Sequence, residues 1–313
     1  MLAYIVRRLL ATIPIIIIVA ILIFAMLRLT PGDPATIIAG DDASAVQLEN
    51  IRSSMGLDKP ISIQLLVWCS QLLQGDLGVS LISGNPVTAM IHDRIGPTIA
   101  LSLLTIVLTL TVAIPLGISA AWNQGRFLDR WIMGGSVVGF SVPTFVISYV
   151  LIYIFSIKLG WFPVQGYRPL TDGFSSFILR LILPACALSA VYVALIARIT
   201  RSSIIEVMNE DFIRTARAKG ALERNVFLRH ALRNAAVPIV TIVGIAIGSL
   251  LSGVVVTESV FNLPGLGRLV VEAVLARDYP VIQGLILLFS LLFILINLVV
   301  DLLYTVFDPR IRY

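Results

Sequence analysis

The residues that could carry out chemistry are few in this chain, and their spacing forms no familiar catalytic pattern. The three lysines, Lys59, Lys158 and Lys219, are followed by proline, leucine and glycine. A phosphate-binding loop of the G-x-x-x-x-G-K-[ST] type needs serine or threonine there, so the sequence holds no such ATP site. It also holds no H-E-x-x-H, no G-x-S-x-G and no pair of aspartates within the apolar runs. The chain is therefore predicted not to be an enzyme.

Metal and disulfide chemistry have no support in the residue pattern either. Cys69 falls in a polar region and Cys186 in an apolar run, so we expect neither a disulfide nor a metal site. His92 stands alone in its region, where a lone histidine is more often a surface or structural residue than a ligand. We expect no metal and no cofactor in this chain.

The composition instead indicates an integral membrane protein. Of the 313 residues, 58% are hydrophobic and only 13% are charged, and the mean hydropathy is +0.97. A soluble domain carries about 25% charged residues. The net charge of +5 does not indicate a nucleic-acid partner, because the basic residues gather beside the apolar runs. The partner that the composition implies is the lipid bilayer.

Six apolar runs are long enough to cross a bilayer core of ~30 Å as helices. Pro143 and Pro184 are expected to kink the third and the fourth. The six runs are residues 9–29, 99–121, 132–157, 178–198, 236–257 and 281–306. The first is too long for a cleaved signal peptide and is interpreted as a retained span. With the N-terminus inside, fourteen of the 23 basic residues lie on the inner side, which places both termini in the cytoplasm.

The chain divides by this pattern into two units. Residues 1–98 hold the first span and a long outer segment, with a P-G-D-P turn and two amphipathic stretches, 44–55 and 61–74, that predict a small helical cap. Residues 99–313 hold five spans and a cytoplasmic hairpin at 200–235. The loop 258–280 is predicted to contain a short amphipathic helix from Leu266 to Leu275, at the outer interface or partly re-entrant.

The longest polar segment rich in basic residues, 201–238, predicts two helices joined by a turn on the membrane surface. Gly220 is expected to end the first helix as a C′ glycine, with Arg217 and Lys219 in its last turn, and a second helix restarts near Leu222. A narrow apolar stripe at helical spacing supports the first helix: Ile205, Met208, Phe212 and Ala216. The segment is either an ordinary amphipathic loop or a docking element for a partner protein.

The cores of the spans carry almost no ionisable side chains, and Arg180 and Asp301 lie near span ends. Ion-coupled transporters usually need such groups as relays, so a secondary transporter is disfavoured. If the bundle transports, energy must enter through the hairpin from another subunit. Recurring glycines are expected mainly to allow close helix packing: Gly134, Gly135, Gly139, Gly244, Gly248 and Gly253.

Ordered motifs along nearly the whole chain carry a family resemblance. R-T-A-R-A-K-G from Arg214 is followed by R-H-A-L-R-N-A from Arg229. Further motifs are P-G-D-P from Pro31, G-D-L-G-V-S from Gly75, S-V-P-T-F from Ser141, L-G-W-F-P from Leu159, F-N-L-P-G-L-G-R from Phe261 and R-D-Y-P-V-I-Q from Arg277. In this order and spacing the chain resembles the membrane permeases of binding-protein-dependent ABC importers, and more narrowly their dipeptide, oligopeptide, nickel and glutathione group.

The resemblance implies an all-α membrane protein with the type I ABC importer permease fold, six transmembrane helices and a multi-pass location in the bacterial cytoplasmic (inner) membrane. It implies a second homologous permease subunit and two cytoplasmic ATPase subunits, which would bind ATP and Mg. It also implies an extracytoplasmic substrate-binding protein that delivers substrate to the outer face.

The resemblance further implies that the hairpin couples the permease to an ATPase. The general importer pattern begins E-A-A, and its glutamate and first alanine are replaced by Arg214 and Thr215 here, as in the peptide group. Glu210, one turn upstream, could compensate for the missing glutamate. The residues implied in coupling are Glu210, Arg214, Thr215, Ala216, Arg217, Lys219 and Gly220.

The expected function is the translocation of dipeptides or oligopeptides, with glutathione or a nickel chelate as alternatives. A stand-alone channel or facilitator would explain the neutral spans but not the basic hairpin. Polar span residues that could line a pathway or simply pack are Ser141, Thr144, Tyr192, Thr241, Ser249 and Gln283.

Overall fold

The computed structural model describes residues 2–29, 35, 44–54 and 58–307. These residues are almost entirely helical, and among them Val79 and Pro86 form an isolated antiparallel β-bridge. The main helices are α1 (Leu2–Leu29), α2 (Ala45–Ser54), α3 (Ile61–Leu73), α4 (Val87–Trp122), α5 (Phe127–Ser141), α6 (Thr144–Leu151), α7 (Phe174–Met208), α8 (Asp211–Ala218), α9 (Ala236–Val260), α10 (Leu266–Ala276) and α11 (Tyr279–Phe307). The all-α prediction is confirmed for this part of the chain.

Several of these helices are long and apolar enough to cross a membrane. Within the described ranges, four single helices are long and apolar enough to span a membrane: α4, α7, α9 and the stretch Tyr279–Val300 of α11. α5 and the helical segment after it, Thr144–Lys158, are long and apolar enough only when taken together, and this bent pair would make a fifth span. α1 adds a shorter apolar stretch, Leu10–Ala25, and packs against α11. A multi-span bundle is thus confirmed, whereas the count of six and the side of each terminus stay predictions.

The third apolar run is broken rather than merely kinked. α5 ends at Ser141, α6 begins at Thr144, and the axes of the two parts differ by 104°. Pro143 explains the break, because it has no backbone N–H and disfavours a helical conformation at Val142, which is extended (φ −87°, ψ 125°). α6 continues as a π-helix over Ile152–Lys158. α7, in contrast, stays helical through Pro184.

The core lies where α4 runs beside α7 and α9. Gly117 of α4 lies so close to α7 that an added Cβ would be 2.7 Å from the Ala197 carbonyl oxygen. α9 runs through the bundle for 25 residues, or about 37 Å at 1.5 Å per residue. α8 lies at the end of the bundle where α9 begins, called the hairpin end below. α10 lies where α9 ends, called the opposite end.

The predicted packing role of the span glycines is confirmed for four of the six. An added Cβ would meet Ala190 and Ala194 at Gly139, Val300 at Gly244, Phe293 at Gly248 and Leu188 at Gly253. The prediction is wrong for Gly134 and Gly135 as far as the described residues go, because none of them lies within 4 Å of the Cβ position at either glycine. A glycine in an apolar run therefore indicates close packing only where a neighbouring helix actually approaches.

The two amphipathic stretches of the first unit form helices as predicted, namely α2 and α3. α3 has no fully buried side chain, although its Trp68 contacts Phe24 of α1 with ring centroids 5.7 Å apart. Packing of these helices into a cap stays a prediction. The P-G-D-P turn lies outside the described residues.

Candidate functional site

The polar hairpin consists of α8, a turn at Gly220 and a helical arm that leads into α9. The first helix predicted from the apolar stripe is in fact two helices, because α7 ends at Met208 and α8 begins at Asp211. Glu210 is extended at this break (φ −70°, ψ 150°), and its carbonyl accepts the N–H of Ile213 at 3.1 Å. Glu210 therefore precedes α8 as its N-cap and does not lie one turn earlier on the same helix.

Gly220 ends α8 in the predicted manner. Its φ is +79°, a conformation that strains other residues, and its N–H donates to the Arg217 carbonyl at 2.9 Å. The Ala221 N–H donates to the Ala216 carbonyl at 3.2 Å, which closes the last turn. None of the residues that the structure describes lies within 4 Å of the Cβ position, so the need for glycine here is conformational rather than steric.

One side chain anchors α8 to the bundle. Ile213 is 0% exposed, whereas Phe212, a member of the apolar stripe, is 42% exposed. The stripe does not continue as one buried face, because the break at Asn209 and Glu210 restarts the helical phase. Ile213 packs in an apolar cluster at the hairpin end, here called the anchor cluster: Ala121, Ile204, Ile213, Val226, Phe227, Ala231, Ala235 and Ile239.

The outward side of the hairpin combines apolar and cationic groups. Phe212 and Leu222 are exposed, the latter by 72%, and Arg214 and Lys219 are exposed beside them. Arg214 donates to the Asp211 carboxylate of its own helix at 3.3 Å, whereas Arg217 donates from Nε and Nη2 to the Glu223 carboxylate at 2.8 and 3.2 Å. That ion pair ties α8 to the second arm across the turn.

The remaining two predicted coupling residues have local roles. The Thr215 hydroxyl donates to the Asp211 carbonyl within α8 at 3.0 Å. Ala216 is half-buried against the anchor cluster. The Thr215 hydroxyl proton is thereby used within α8, and Ala216 contributes apolar contact alone.

The second arm begins where the sequence predicts it, with Leu222 as the N-cap of a short helical turn, Glu223–Asn225. It continues as a π-helix over Val226–Ala231 and one more turn, Leu232–Asn234, before α9. Phe227 in this arm contacts Trp122 at the end of α4 in an edge-to-face arrangement, with ring centroids 4.9 Å apart. The hairpin is thereby packed against α4 and α7 and continues directly into α9.

The six polar span residues predicted to line a pathway are spread over five helices. Ser141 and Thr144 flank the break between α5 and α6, and the Ser141 hydroxyl donates to the Val137 carbonyl at 2.8 Å. On α9, the Thr241 hydroxyl donates to the Val237 carbonyl at 2.8 Å, and Ser249 is exposed. These four residues lie on three helices, and their assignment to a pathway stays a prediction.

The other two candidates are more enclosed. Tyr192 borders a small apolar cavity between α4, α7 and α9, whose wall includes Thr109 and Leu250 but none of the other five candidates. The side-chain Nε2 of Gln283, near the start of α11, is buried and has no hydrogen-bond partner among the described residues. Their assignment to a pathway stays a prediction.

The predicted short amphipathic helix at the opposite end is α10, and it is packed into the bundle. Glu258 of α9 is fully buried beside it and accepts the Thr98 hydroxyl at 2.6 Å and the Arg268 N–H at 3.1 Å. An added Cβ at Gly265 would overlap the Glu258 carboxylate. This buried carboxylate therefore joins α4, α9 and the start of α10.

A second polar contact lies near the surface of the same end. Arg94 of α4 donates to the Glu272 carboxylate of α10 at 2.7 Å, and Arg268 donates to its other oxygen at 2.8 Å. Sequence reasoning missed both contacts, and it also missed Asp129, which pairs with Arg201 at the hairpin end. The available signal was a carboxylate at the edge of an apolar run, a place where burial requires a partner.

The bundle and its anchored hairpin define a class: a multi-pass helical membrane protein with a polar hairpin that leads straight into a span. The chain belongs to the family of binding-protein-dependent transport system inner membrane components, whose model matches residues 113–313. A second model, for the N-terminal part of such membrane components, matches residues 1–102. The chain is thus a multi-pass inner-membrane permease component of a binding-protein-dependent ABC transport system.

Full-length relatives support the same family. A "probable peptide ABC transporter permease protein" of Sinorhizobium fredii is 51% identical over 310 residues, which are 99% of each chain. The glutathione transport system permease protein GsiC of Salmonella typhimurium is 46% identical over 313 residues, or 100% of both chains. The resemblance to the group that includes peptide and glutathione permeases is confirmed.

The fold has a counterpart among solved structures. The inward-facing MetNI methionine ABC transporter contains a chain that superposes with a TM-score of 0.59 at 17% identity, covering 71% of this chain and 97% of the other. At that identity the likeness concerns the fold alone, and it confirms the type I permease fold.

Proposed function

We propose that this permease is one of two different membrane subunits of an ATP-driven importer that moves dipeptides or oligopeptides across the inner membrane. The hairpin is the element on which an ATPase acts. One observation carries the coupling role: Ile213 fixes α8 in the anchor cluster, while the adjacent Phe212 and the cations Arg214 and Lys219 remain exposed. A helix held on one side and exposed on the other suits a groove in a partner.

The ATPase groove is proposed to be acidic at its rim and apolar at its base. Phe212 would fill the apolar part, because buried aromatic side chains dominate the energetics of protein interfaces. Arg214 and Lys219 would face the acidic rim and favour correct orientation. Glu210 and Gly220 would shape the two ends of α8, and Arg217 would keep α8 aligned with the second arm through Glu223.

The remaining partners follow from the importer role. Two cytoplasmic ATPase subunits would bind ATP and Mg, and a second homologous permease would complete the membrane pathway. A substrate-binding protein would dock at the opposite end, where α10 and its ion pairs are located. On this assignment the hairpin end is cytoplasmic, and both termini lie on the same side.

Peptides are proposed as the substrate class, with glutathione as the alternative. Both are short chains with amide bonds and free carboxylates, and the relatives' names include both. Tyr192 is the candidate pathway residue with the best structural support, since it borders a cavity between three spans. Ser141, Thr144, Thr241, Ser249 and Gln283 remain candidates that do not border this cavity.

The test is to express the chain with its chromosomal neighbours, purify the complex and assay ATP hydrolysis in nanodiscs. We expect the second permease and the ATPases to copurify. Hydrolysis should rise when a binding protein loaded with peptide is added. A rise with glutathione and none with di- or oligopeptides would shift the substrate to the alternative. A chain that purifies alone and conducts solute without ATP would overturn the proposal in favour of a channel.

A further inference from the structure

A buried ion pair joins α5 to α7 at the hairpin end. Asp129, in the first turn of α5, is 3% exposed. Arg201 of α7 donates from Nε to Oδ1 at 2.5 Å and from Nη2 to Oδ2 at 2.7 Å. The Gly125 N–H adds a third bond to Oδ2 at 2.9 Å. Such a two-bonded pair fixes both distance and orientation, and removing one partner leaves an uncompensated buried charge.

This pair lies close to the docking element. Arg201 is on the last two turns of α7, which ends at Met208, and α8 begins at Asp211. Ile204 of α7 and Ile213 of α8 are both fully buried in the anchor cluster. Both belong to one apolar cluster with side chains of the second arm, so a displacement of α8 is passed to the second arm and to this end of α7.

α5 has contacts on its inner side and few on its outer side. Outward-facing side chains along α5 are exposed, among them Phe127, Trp131 and Val138. Near its other end, Gly139 approaches α7, where an added Cβ would be 3.4 Å from the Ala190 carbonyl oxygen. α5 is therefore attached to α7 at both ends: at one by the Gly139 contact and by the Arg198 guanidinium, 5.9 Å from the centroid of the Phe140 ring, and at the other by the ion pair.

We propose that the Asp129–Arg201 pair is the positioning contact that makes α5 follow the hairpin when an ATPase moves it. α5 passes this movement through the 104° break to α6. The proposal rests on the coupling role given above and adds the route into the spans. An ion pair suits the task because its directional bonds resist sliding between two helices, whereas an apolar contact between small residues permits it.

The first test measures the ratio of substrate imported to ATP hydrolysed by the assembled importer in proteoliposomes. Asp129→Asn and Arg201→Gln should each lower this ratio by about tenfold, a typical coupling effect, while the ATPases still bind and hydrolyse ATP. The double variant should be no worse than either single variant, because both changes remove the same contact. Arg130→Gln is the matched control, since it removes an exposed cation from the next position and should leave the ratio unchanged.

The second test separates positioning from a merely structural role. Spin labels at Leu128→Cys on α5 and Asn209→Cys after α7, in a Cys69→Ser, Cys186→Ser background, report the distance between the two elements. With the pair intact, the distance should stay the same when ATP is added. In Asp129→Asn it should change or broaden with ATP, because α7 then moves without α5.

The outcomes distinguish this proposal from the proposed function. If the unaltered importer is coupled and Asp129→Asn keeps the same transport ratio and the same label distance, the positioning role is overturned and the coupling role of the hairpin stands. Additive losses in the double variant would also overturn it. If no ATPase associates with the unaltered chain, both proposals fail together.

Discussion

Asp278 and Ser80 are 198 positions apart in the chain and are joined by a buried hydrogen bond. The Ser80 hydroxyl donates to one oxygen of the Asp278 carboxylate, and the Leu81 N–H donates to the other at 3.1 Å. The same hydroxyl accepts the N–H of Ser83 at 3.0 Å. These bonds close the loop before α4 onto the junction between α10 and α11, so two motifs distant in sequence form one structural unit at the opposite end.

Ser80→Ala should destabilise this unit. The change leaves a buried carboxylate oxygen without its donor, which costs about 1–3 kcal/mol. A lower midpoint of thermal unfolding in nanodiscs measures the effect. Ser83→Ala, at an exposed hydroxyl three residues later, serves as the control and should leave the midpoint nearly unchanged. Equal midpoints for both variants would contradict the role given to Ser80.

Ile213→Ala should lower the stability of the chain, whereas Phe212→Ala should weaken binding of the ATPase, although the two residues are neighbours. Ile213→Ala opens a hole in the anchor cluster and should lower stability by about 2–5 kcal/mol, visible in thermal unfolding. Phe212→Ala should leave thermal unfolding unchanged and weaken ATPase association by about tenfold or more, measured by titration of purified subunits. If Phe212→Ala destabilises the isolated chain and Ile213→Ala does not, the assignment of their faces is wrong.

Lys219→Glu should weaken docking of the ATPase without affecting insertion of the chain. Lys219 is exposed, whereas Arg217 is held by Glu223, so reversing the charge at Lys219 disturbs a partner surface and leaves the internal ion pair in place. The association rate should fall, and the difference from the unaltered chain should shrink as salt is raised. Arg168→Glu is the control: it reverses the charge of another exposed residue, in the loop before α7, and should not alter the association rate.

Gly220→Ala and Gly220→Asn form a graded pair at the end of α8. Alanine at φ +79° is strained by about 1–2 kcal/mol, whereas asparagine tolerates that conformation better. Transport per ATP should therefore fall more for the alanine variant than for the asparagine variant, with both chains inserted normally. Equal transport by the two would show that the turn conformation does not matter for coupling.

Gly117→Ala and Gly134→Ala should have opposite effects on stability. At Gly117 the new methyl group would meet the Ala197 carbonyl oxygen at 2.7 Å, and backbone cannot move aside as a flexible side chain can. At Gly134 it would meet no atom of the described part of the chain within 4 Å, and alanine favours helix over glycine by about 1 kcal/mol. The thermal midpoint should fall for the first variant and stay equal or rise for the second.

Local signals account for the parts of the hairpin that could be predicted. Gly220 and Leu222 mark the turn correctly, because a C′ glycine and the start of the next helix depend on a few neighbouring residues. The position of Phe212 could not be predicted from the apolar period. The break at Asn209 and Glu210 shifts the phase of the helix, and one residue corresponds to about 100° around its axis.

The amino-acid sequence alone determined the membrane class, the apolar runs, the hairpin and the family, because hydropathy and ordered motifs are properties of the linear chain. Only the tertiary structure decided which partners the buried carboxylates Asp129, Glu258 and Asp278 have, since each is neutralised or hydrogen-bonded by a residue far away in the sequence. It also decided that Ile213 is the anchor and that the third run is bent by 104°. Burial and reorientation depend on which helices pack together, and local periodicity contains no information about that choice.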